Sequence, residues 1–417
     1  MTLTLPGGPR RGAVRVPASK SAAHRYLICA ALGKESCEIR CGELSADLRA
    51  TADCLAALGA SFAFSGGRVR VEPIRSSPDG ELRLPCGESG TTLRFLLPVA
   101  GALGARAVFE RRGRLADRPL APLTDELIRH GMAISEEGAL LRCSGRLRGG
   151  DWMLPGDVSS QFVSALLTAL PLLDEPSRLA VTGPVESAPY IALTEQILWE
   201  GAIRFSHTGS VYTVPGEQCP ALGRSVDVEG DWSSAALFLA MGALSPEGVA
   251  VEGLSLDSLQ ADRAILALLR AFGAEVLEKA DRVFVRQNAR RAFCYDASQS
   301  PDLVPAAAAL GALAEGETRI EGAARLRAKE SDRLRTTSSM LAALGADIRE
   351  LPDGLVIRGK PSLRGGTAES FADHRIAMAA AVAACGCERD VTLLGAECVE
   401  KSYPRFWDDF GSLGGLS

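Results

Sequence analysis

The chain lacks any apolar run long enough to cross a bilayer, and its opening Met1-Thr-Leu-Thr-Leu-Pro6 has neither the basic nor the apolar region of a secretory signal. A cytoplasmic location without membrane contact is therefore the expectation. Histidine is scarce, at 4 in 417 residues, and the 11 cysteines form no CxxC pair, Cys385-Gly-Cys387 being one residue short. Too little is present for a zinc site, so no metal or other cofactor is expected, and reduced thiols are the default. Positive charge is also in deficit: 46 Lys and Arg face 51 Asp and Glu, for a net charge of −5. Such a surface has no general attraction for nucleic acid or anionic lipid, and any anion must be held by a local cluster.

What is present is the composition of a globular protein, 47% hydrophobic and 23% charged, in a chain too long for one ordinary core. One ending recurs along it: Leu55-Ala-Ala-Leu-Gly59, Leu127-Ile-Arg-His-Gly131, Ile197-Leu-Trp-Glu-Gly201, Leu269-Arg-Ala-Phe-Gly273 and Leu341-Ala-Ala-Leu-Gly345. Each predicts a helix closed by a C-terminal glycine, and the glycines lie 72, 70, 72 and 72 residues apart. Two short alternating runs with a turn between follow four of them, as in Ser61 to Val71 and Asp347 to Ile357, and read as hairpins. A weaker sixth copy falls in Pro404 to Gly414.

A second helix type, rich in Ala and Leu along its whole length, alternates with the first and should be buried all round. It starts at Ser19-Lys-Ser21, Ser89-Gly-Thr91, Ser159-Ser-Gln161, Asp231-Trp-Ser-Ser234, Ser300-Pro-Asp302 and Asp373-His-Arg375, again about seventy residues apart. Six supersecondary units of two helices and several strands make an α/β protein of two domains with three units each. The boundary falls between Val226 and Glu229, giving residues 20–227 as one domain and 1–19 with 228–417 as the other, the first residues pairing back onto the second half.

Arg327-Ala-Lys-Glu-Ser-Asp-Arg-Leu-Arg335 concentrates charge at one helix start. Taken by itself it is a well-capped, solvated helix end, with Ser331 as N-cap and Asp332 favoured by the macrodipole. Arginines beside a lysine at the positive end of a helix nevertheless ask for an anion opposite them. A helix terminus supports an anion by only about 0.3–1 kcal/mol, so a multiply charged ligand needs full cations. Lys20, Arg25, Arg118, Lys329, Arg333, Arg375 and Lys401 lie at or near such starts.

Pro17-Ala-Ser-Lys-Ser-Ala-Ala-His-Arg25, Cys86-Gly-Glu-Ser-Gly-Thr-Thr-Leu-Arg94, Leu115-Ala-Asp-Arg-Pro119, Val158-Ser-Ser-Gln161, Arg327 to Arg333, Asp373-His-Arg375 and Lys401-Ser-Tyr-Pro404 together resemble, in order, the 5-enolpyruvylshikimate-3-phosphate synthase family. The resemblance implies the two-domain enolpyruvyl-transferase fold, an inside-out α/β barrel whose units each pair two helices with a mixed four-stranded sheet, with the site in the cleft between domains. It implies transfer of the enolpyruvyl group of phosphoenolpyruvate to the 5-hydroxyl of shikimate 3-phosphate, with release of phosphate, by a single chain acting on small molecules.

The same resemblance distributes roles. Lys20, Gly90, Arg118, Gln161, Arg333, Arg375 and Lys401 would meet phosphoenolpyruvate. Lys20, Ser21, Arg25, Ser159, Ser160, Gln161, Ser187, Asp302 and Lys329 would meet shikimate 3-phosphate, with Tyr190 a less secure match. Asp302 would accept the 5-hydroxyl proton, while Lys20 and Glu330 remain alternatives for protonating the enolpyruvyl methylene. Singly, each of these has a plainer explanation: a surface cation, a serine cap, an acid in a first helical turn. Together they answer a charge count, since each substrate carries a phosphate of about −1.5 to −2 and a carboxylate, and planar arginines suit both groups. His374 reads as structural or phosphate-bonding, not as a base. Two positions depart from the pattern: Glu88 and Arg325 stand where many members have Asn, so those Asn roles are not carried over and the response to glyphosate stays open.

Two rivals share parts of the pattern. The sister transferases acting on a UDP-linked amino sugar show Lys-Asn at the first motif and a loop cysteine, where this chain has Lys20-Ser21 and Leu115-Ala-Asp-Arg118. A clamp-like interaction protein would need basic helix flanks facing DNA, whereas these helices carry charge only at their starts.

Overall fold

The computed structural model describes residues 1–415. Clustering of contacts divides the chain into two compact units, Lys20–Val228 and Met1–Ser19 together with the chain from Glu229 onward. The first unit contains α1 (Lys20–Ala31), α2 (Ala46–Ala57), α3 (Gly90–Leu103), α4 (Leu123–Arg129), α5 (Ser160–Ala169) and α6 (Ala188–Glu200). The second contains α7 (Trp232–Ala243), α8 (Ile265–Phe272), α9 (Val304–Gly311), α10 (Arg333–Ala343), α11 (His374–Ala384) and α12 (Phe406–Phe410).

Odd-numbered helices are the buried ones. Every residue of α9 and α11 is buried, and so is all of α7 except Ser233. Their sequences, Val-Pro-Ala-Ala-Ala-Ala-Leu-Gly in α9 for example, have no polar stripe to offer solvent, so only an interior position satisfies them. The helices between them are closed as their sequence predicts. Gly59, Gly131, Gly273 and Gly345 take positive φ of 111°, 110°, 98° and 99°, the left-handed conformation that glycine enters without a Cβ penalty. Gly201 differs: its φ is −80°, and Ala202 turns left-handed instead at 57°. A hairpin follows all five of these helices rather than four.

Sheet topology explains the alternation. Glu81–Gly87 pairs parallel with Arg106–Arg111, which pairs antiparallel with Leu140–Ser144, the second arm of a hairpin begun by Ala133–Glu137. A parallel pair needs a crossover, and α3 supplies it. Four more sheets repeat this four-stranded plan. The sixth does not: it has three strands, and Thr2–Leu5, antiparallel to Val391–Leu394, takes the place of a hairpin. The expectation of a four-stranded sheet in every unit is corrected here, because after α12 the described chain continues only into a π-type turn, Gly411–Gly415. Gly12–Arg15 likewise pairs with Val249–Glu252, so the opening residues do return to the second half. Pro17–Ser19 and Glu229–Asp231, where the chain leaves and re-enters this unit, bond to each other through Ser19 N–H to Glu229 O at 2.7 Å and Asp231 N–H to Pro17 O at 2.9 Å.

Candidate active site

In the unit completed by α7–α12, the starts of α9, α10 and α11 assemble one charged cluster. Arg333, the first residue of α10, is 2% exposed and donates to three carboxylates. Its Nη1 reaches Asp302 Oδ1 at 2.8 Å, its Nη2 reaches Glu330 Oε2 at 2.6 Å, and its Nε reaches Asp373 Oδ2 at 2.8 Å. Asp373, fully buried, is also the N-cap of α11 and accepts the Ser331 hydroxyl at 2.9 Å. Arg375, in the first turn of α11, donates to Ser233 O at 3.2 Å and approaches Asp302 Oδ2 at 3.5 Å, while Lys329 Nζ lies 4.0 Å from Asp302 Oδ1. Burial works against the ionised form of Asp302, yet Lys329, Arg375 and Arg333 outweigh it and hold its carboxyl well below the usual range. Burial also opposes the charge on Arg333, and the surrounding carboxylates reverse that, so its pKa is raised.

The unit of α1–α6 builds its cluster from cations at helix starts set over neutral hydroxyls and an amide. Lys20 opens α1 and pairs with Asp47 Oδ2 at 3.2 Å. Arg25 turns back along α1, donating to the Ser21 carbonyl at 2.6 Å, to Thr194 Oγ1 at 2.7 Å and to Tyr190 O at 3.1 Å. At the start of α3, Ser89 is the N-cap and Gly90 the first helical residue. A Cβ on Gly90 would stand 2.7 Å from Arg94 Nη1 and 2.8 Å from Arg118 Nη1, so the glycine lets two guanidinium groups close on that helix end. Gln161 accepts from Arg94 Nη1 and donates to Thr91 Oγ1, both at 2.9 Å, which ties the start of α5 to the start of α3. Ser159 caps α5, and Ser160 is its first residue. Ser187, just before α6, has φ of 54° and is buried, an uncommon conformation for a serine and the kind that clusters at ligand sites.

Beneath these residues runs a relay of neutral groups, ending at His24, whose Nε2 is buried with no hydrogen-bond partner among the described residues. His24 Nδ1 meets Thr51 Oγ1 at 2.7 Å, Thr51 meets Thr92 Oγ1 at 2.6 Å, and Thr92 meets Ser89 Oγ at 2.7 Å. Burial first, then Lys20 and Arg25, keep the His24 imidazole neutral well below its ordinary pKa.

Several expectations need adjustment. The N-cap of α10 is Asp332, not Ser331: its side chain accepts from Arg335 N–H at 3.2 Å, leaving the Ser331 hydroxyl free to bond Asp373. Asp332 also pairs with Arg327 at 3.0 Å, so these two charges serve the fold. Arg325 donates to Ser298 O at 2.9 Å, and Glu88 packs against Gly113, a contact open only because that residue has no side chain. His374 is buried, its Nδ1 3.8 Å from Asp373 Oδ1. Lys401 ends the 3₁₀ stretch Ala396–Lys401. Asp373, Asp47, Thr194 and Arg94 are participants to which the sequence reading assigned no role. Of these only Arg94 left a signal, since it stands four residues after Gly90 and therefore on the same helix face.

Among the described residues no His, Cys, Asp and Glu group is arranged to hold a metal, and no helix is long and apolar enough to cross a membrane. A family model described as EPSP synthase (3-phosphoshikimate 1-carboxyvinyltransferase) matches residues 5–410. The 3-phosphoshikimate 1-carboxyvinyltransferase of Clostridium kluyveri is 41% identical over 411 residues, covering 97% of this chain and 95% of that protein. Its counterpart in Clostridium acetobutylicum is 39% identical over 413 residues, with coverage of 97% and 95%. Among solved structures, an EPSP synthase from Acinetobacter baumannii matches with a TM-score of 0.83 at 24% identity, covering 100% of this chain and 98% of that one. The enolpyruvyl transferase NikO from Streptomyces tendae matches with a TM-score of 0.79 at 18% identity, covering 99% and 97%. Those two likenesses bear on the fold alone.

Proposed function

Given that the chain belongs to the EPSP synthase (3-phosphoshikimate 1-carboxyvinyltransferase) family, we propose that it transfers the enolpyruvyl group of phosphoenolpyruvate to the 5-hydroxyl of shikimate 3-phosphate and releases phosphate, Asp302, Glu330 and Lys20 moving the protons. The observation that carries this assignment of residues is the placement of two carboxylates, Asp302 and Glu330, on the two terminal nitrogens of one buried guanidinium, that of Arg333. Addition to the enol phosphate demands a proton delivered to its methylene and a proton removed from the attacking hydroxyl; the tetrahedral adduct then loses a methyl proton as phosphate departs. Two proton-transfer groups held at a fixed separation match that demand.

Electrostatics gives the pair its timing. In the free protein Lys329, Arg375 and Arg333 hold Asp302 ionised. Anionic substrates engage Lys329 and Arg375, weaken that hold, and raise the proton affinity of Asp302 when the 5-hydroxyl must be deprotonated. Arg375, Lys401, Arg118 and Lys20 receive phosphoenolpyruvate, with Gly90 permitting close approach and Gln161 shared between the ligands. Ser21, Arg25, Ser159, Ser160, Ser187 and Lys329 receive shikimate 3-phosphate. Arg333 acts through the carboxylates it orients, as its contacts with Asp302, Glu330 and Asp373 leave it little to offer a ligand.

Purified protein mixed with phosphoenolpyruvate and shikimate 3-phosphate is expected to release phosphate without added metal or nucleotide. Absence of release with shikimate 3-phosphate, together with release in the presence of UDP-N-acetylglucosamine, would move the assignment to the sister activity.

A further inference from the structure

Asp262 lies in the 3₁₀ turn Ala261–Ala264, 1% exposed. Its Oδ2 accepts the Ser233 hydroxyl, whereas its Oδ1 is buried with no hydrogen-bond partner among the described residues. Buried carboxylate oxygens are ordinarily satisfied, so an unsatisfied one beside the charged cluster calls for an explanation. The surrounding segment grips the start of α7: Gln260 Oε1 accepts Trp232 N–H at 3.0 Å, and Asp231 Oδ1 accepts Ser234 N–H at 2.6 Å. Ser233 stands in that turn. Its carbonyl accepts Arg375 Nη1 at 3.2 Å, and Arg375 Nη2 faces Asp302 Oδ2 at 3.5 Å. The connected series is Asp262 carboxyl, Ser233 hydroxyl, Ser233 carbonyl, Arg375 guanidinium, Asp302 carboxyl.

Burial, reinforced by the like charge of Asp302, pushes Asp262 up to about 7 against the pull of Arg375 and the Ser233 hydroxyl, with Asp231 acting in the same upward direction. Tyr295, whose own hydroxyl bonds Ser300 and is pushed up by burial, is the other titratable group nearby and stays neutral. Near neutrality, then, Asp262 changes charge while Asp302 does not.

We propose that Asp262 is a positioning residue for the capture of phosphoenolpyruvate: through Ser233 it anchors the first turn of α7, on whose carbonyl the Arg375 guanidinium rests, and its charge sets how strongly that arginine is drawn away from the substrate. The inference rests on the reading of Arg375 as a phosphoenolpyruvate ligand. Ionised Asp262 competes with the substrate anion for Arg375, and protonated Asp262 releases it.

Steady-state phosphate release is to be followed from pH 5.5 to 8.5 for the wild type, Asp262→Asn, Asp262→Ala and Ser233→Ala. Phosphoenolpyruvate itself titrates in this range, but equally for each protein, so the ratio to wild type isolates the residue. Asp262→Asn keeps an acceptor for Ser233 and removes the charge. It is expected to lower KM for phosphoenolpyruvate about tenfold at pH 8.5, the effect of one unit charge at short range in a medium of moderate dielectric, and to converge on the wild type at pH 5.5. Its kcat should change little. Asp262→Ala loses the anchor as well as the charge, so its KM should exceed that of Asp262→Asn at every pH, and Ser233→Ala, which loses only the anchor, should raise KM above the wild type at every pH. A pH-independent ratio for Asp262→Asn, or effects confined to kcat, would overturn the proposal. Wild type that releases no phosphate would instead count against the assigned activity. Asp262 is then still judged by the rise in Tm that phosphoenolpyruvate alone gives wild type and Asp262→Asn at the two ends of the pH range: a gain for Asn growing with pH supports the role, and equal shifts exclude it.

Discussion

Arg333 and Ser89 each stand at the start of a helix, one of the glycine-closed type and one of the buried type, and the chemistry around them differs. Around Arg333 three carboxylates and a second arginine meet. Around Ser89 the interior hydrogen bonds run through a serine, two threonines and a neutral imidazole, while the guanidinium groups of Arg94 and Arg118 lie over the first turn. Full charges out of water are tolerated only with counter-charges and hydrogen bonds on every side, whereas a chain of hydroxyls satisfies its members at a smaller cost. The repeat therefore fixes where polar groups gather and leaves their charge free to vary. One unit gathers carboxylates and arginines at its helix starts; the other sets hydroxyls and an amide beside its cations.

The largest separation between the two regions should appear in turnover. Asp302→Asn, nearly isosteric and still able to meet Arg333 through its carbonyl oxygen, is expected to lower kcat by about a thousandfold, within the range for loss of a general base, with KM for phosphoenolpyruvate changed far less. Ser160→Ala, in the other unit, should instead raise KM for shikimate 3-phosphate about tenfold, the worth of one hydrogen bond to a charged group, and spare kcat. Steady-state phosphate release with each substrate varied separates the two patterns. A kcat untouched by Asp302→Asn would remove that residue from the chemistry.

Stability gives the next test of the contrast. Asp373→Ala leaves the buried Arg333 guanidinium without its Nε partner, and breaking a buried ion pair from one side costs about 3–5 kcal/mol. Thr92→Val cuts the relay between Thr51 and Ser89 and should cost about 1–3 kcal/mol, the penalty for neutral groups left unbonded. Urea unfolding at pH 7 measures both. Equal losses would mean that the charged cluster is no more demanding than the neutral one.

The sequence carried the periodic features well because they are local. Six Ala- and Leu-rich stretches between polar starts can only be buried helices, and four of the five closing glycines adopt the turn they announce. Features that depend on distant segments were not legible. Asp373, 40 residues from Arg333, reads as an ordinary cap until the fold makes it a counter-ion. Whether Ser331 or Asp332 capped α10 was decided by that same tertiary contact, which drew the serine hydroxyl to Asp373. That the opening residues return to the second half was legible, but that Thr2–Leu5 stands where a sixth hairpin was expected has no local cue. Asp262 sits in Leu-Gln-Ala-Asp, and nothing in those residues marks it as buried.

The smallest effect, and the one that compares the two regions most directly, lies in the pH dependence of stability. Among the described residues His24 in one unit and Asp262 in the other are buried groups whose protonation changes on unfolding between pH 7 and 5, and their signs oppose. The fold holds His24 neutral, while the unfolded chain takes up a proton below about 6.5, so this contribution is complete above that pH and shrinks as acid is added. The fold holds Asp262 protonated up to about 7, while the unfolded carboxyl ionises near 4. Its contribution therefore grows as pH falls from 7 toward 4. Asp302, with its folded value depressed, stays ionised in both states above about pH 4–5 and adds no slope there. The wild-type Tm should consequently change little from these groups between pH 7 and 5. His24→Gln removes one arm of the balance and is expected to rise in stability by about 2 kcal/mol over that interval. Asp262→Asn removes the other and should fall by about the same amount. Thermal melts of the three proteins at pH 7 and pH 5 read the sign directly, and slopes of the same sign in both variants would show that the two buried groups are not the opposed pair their environments make them.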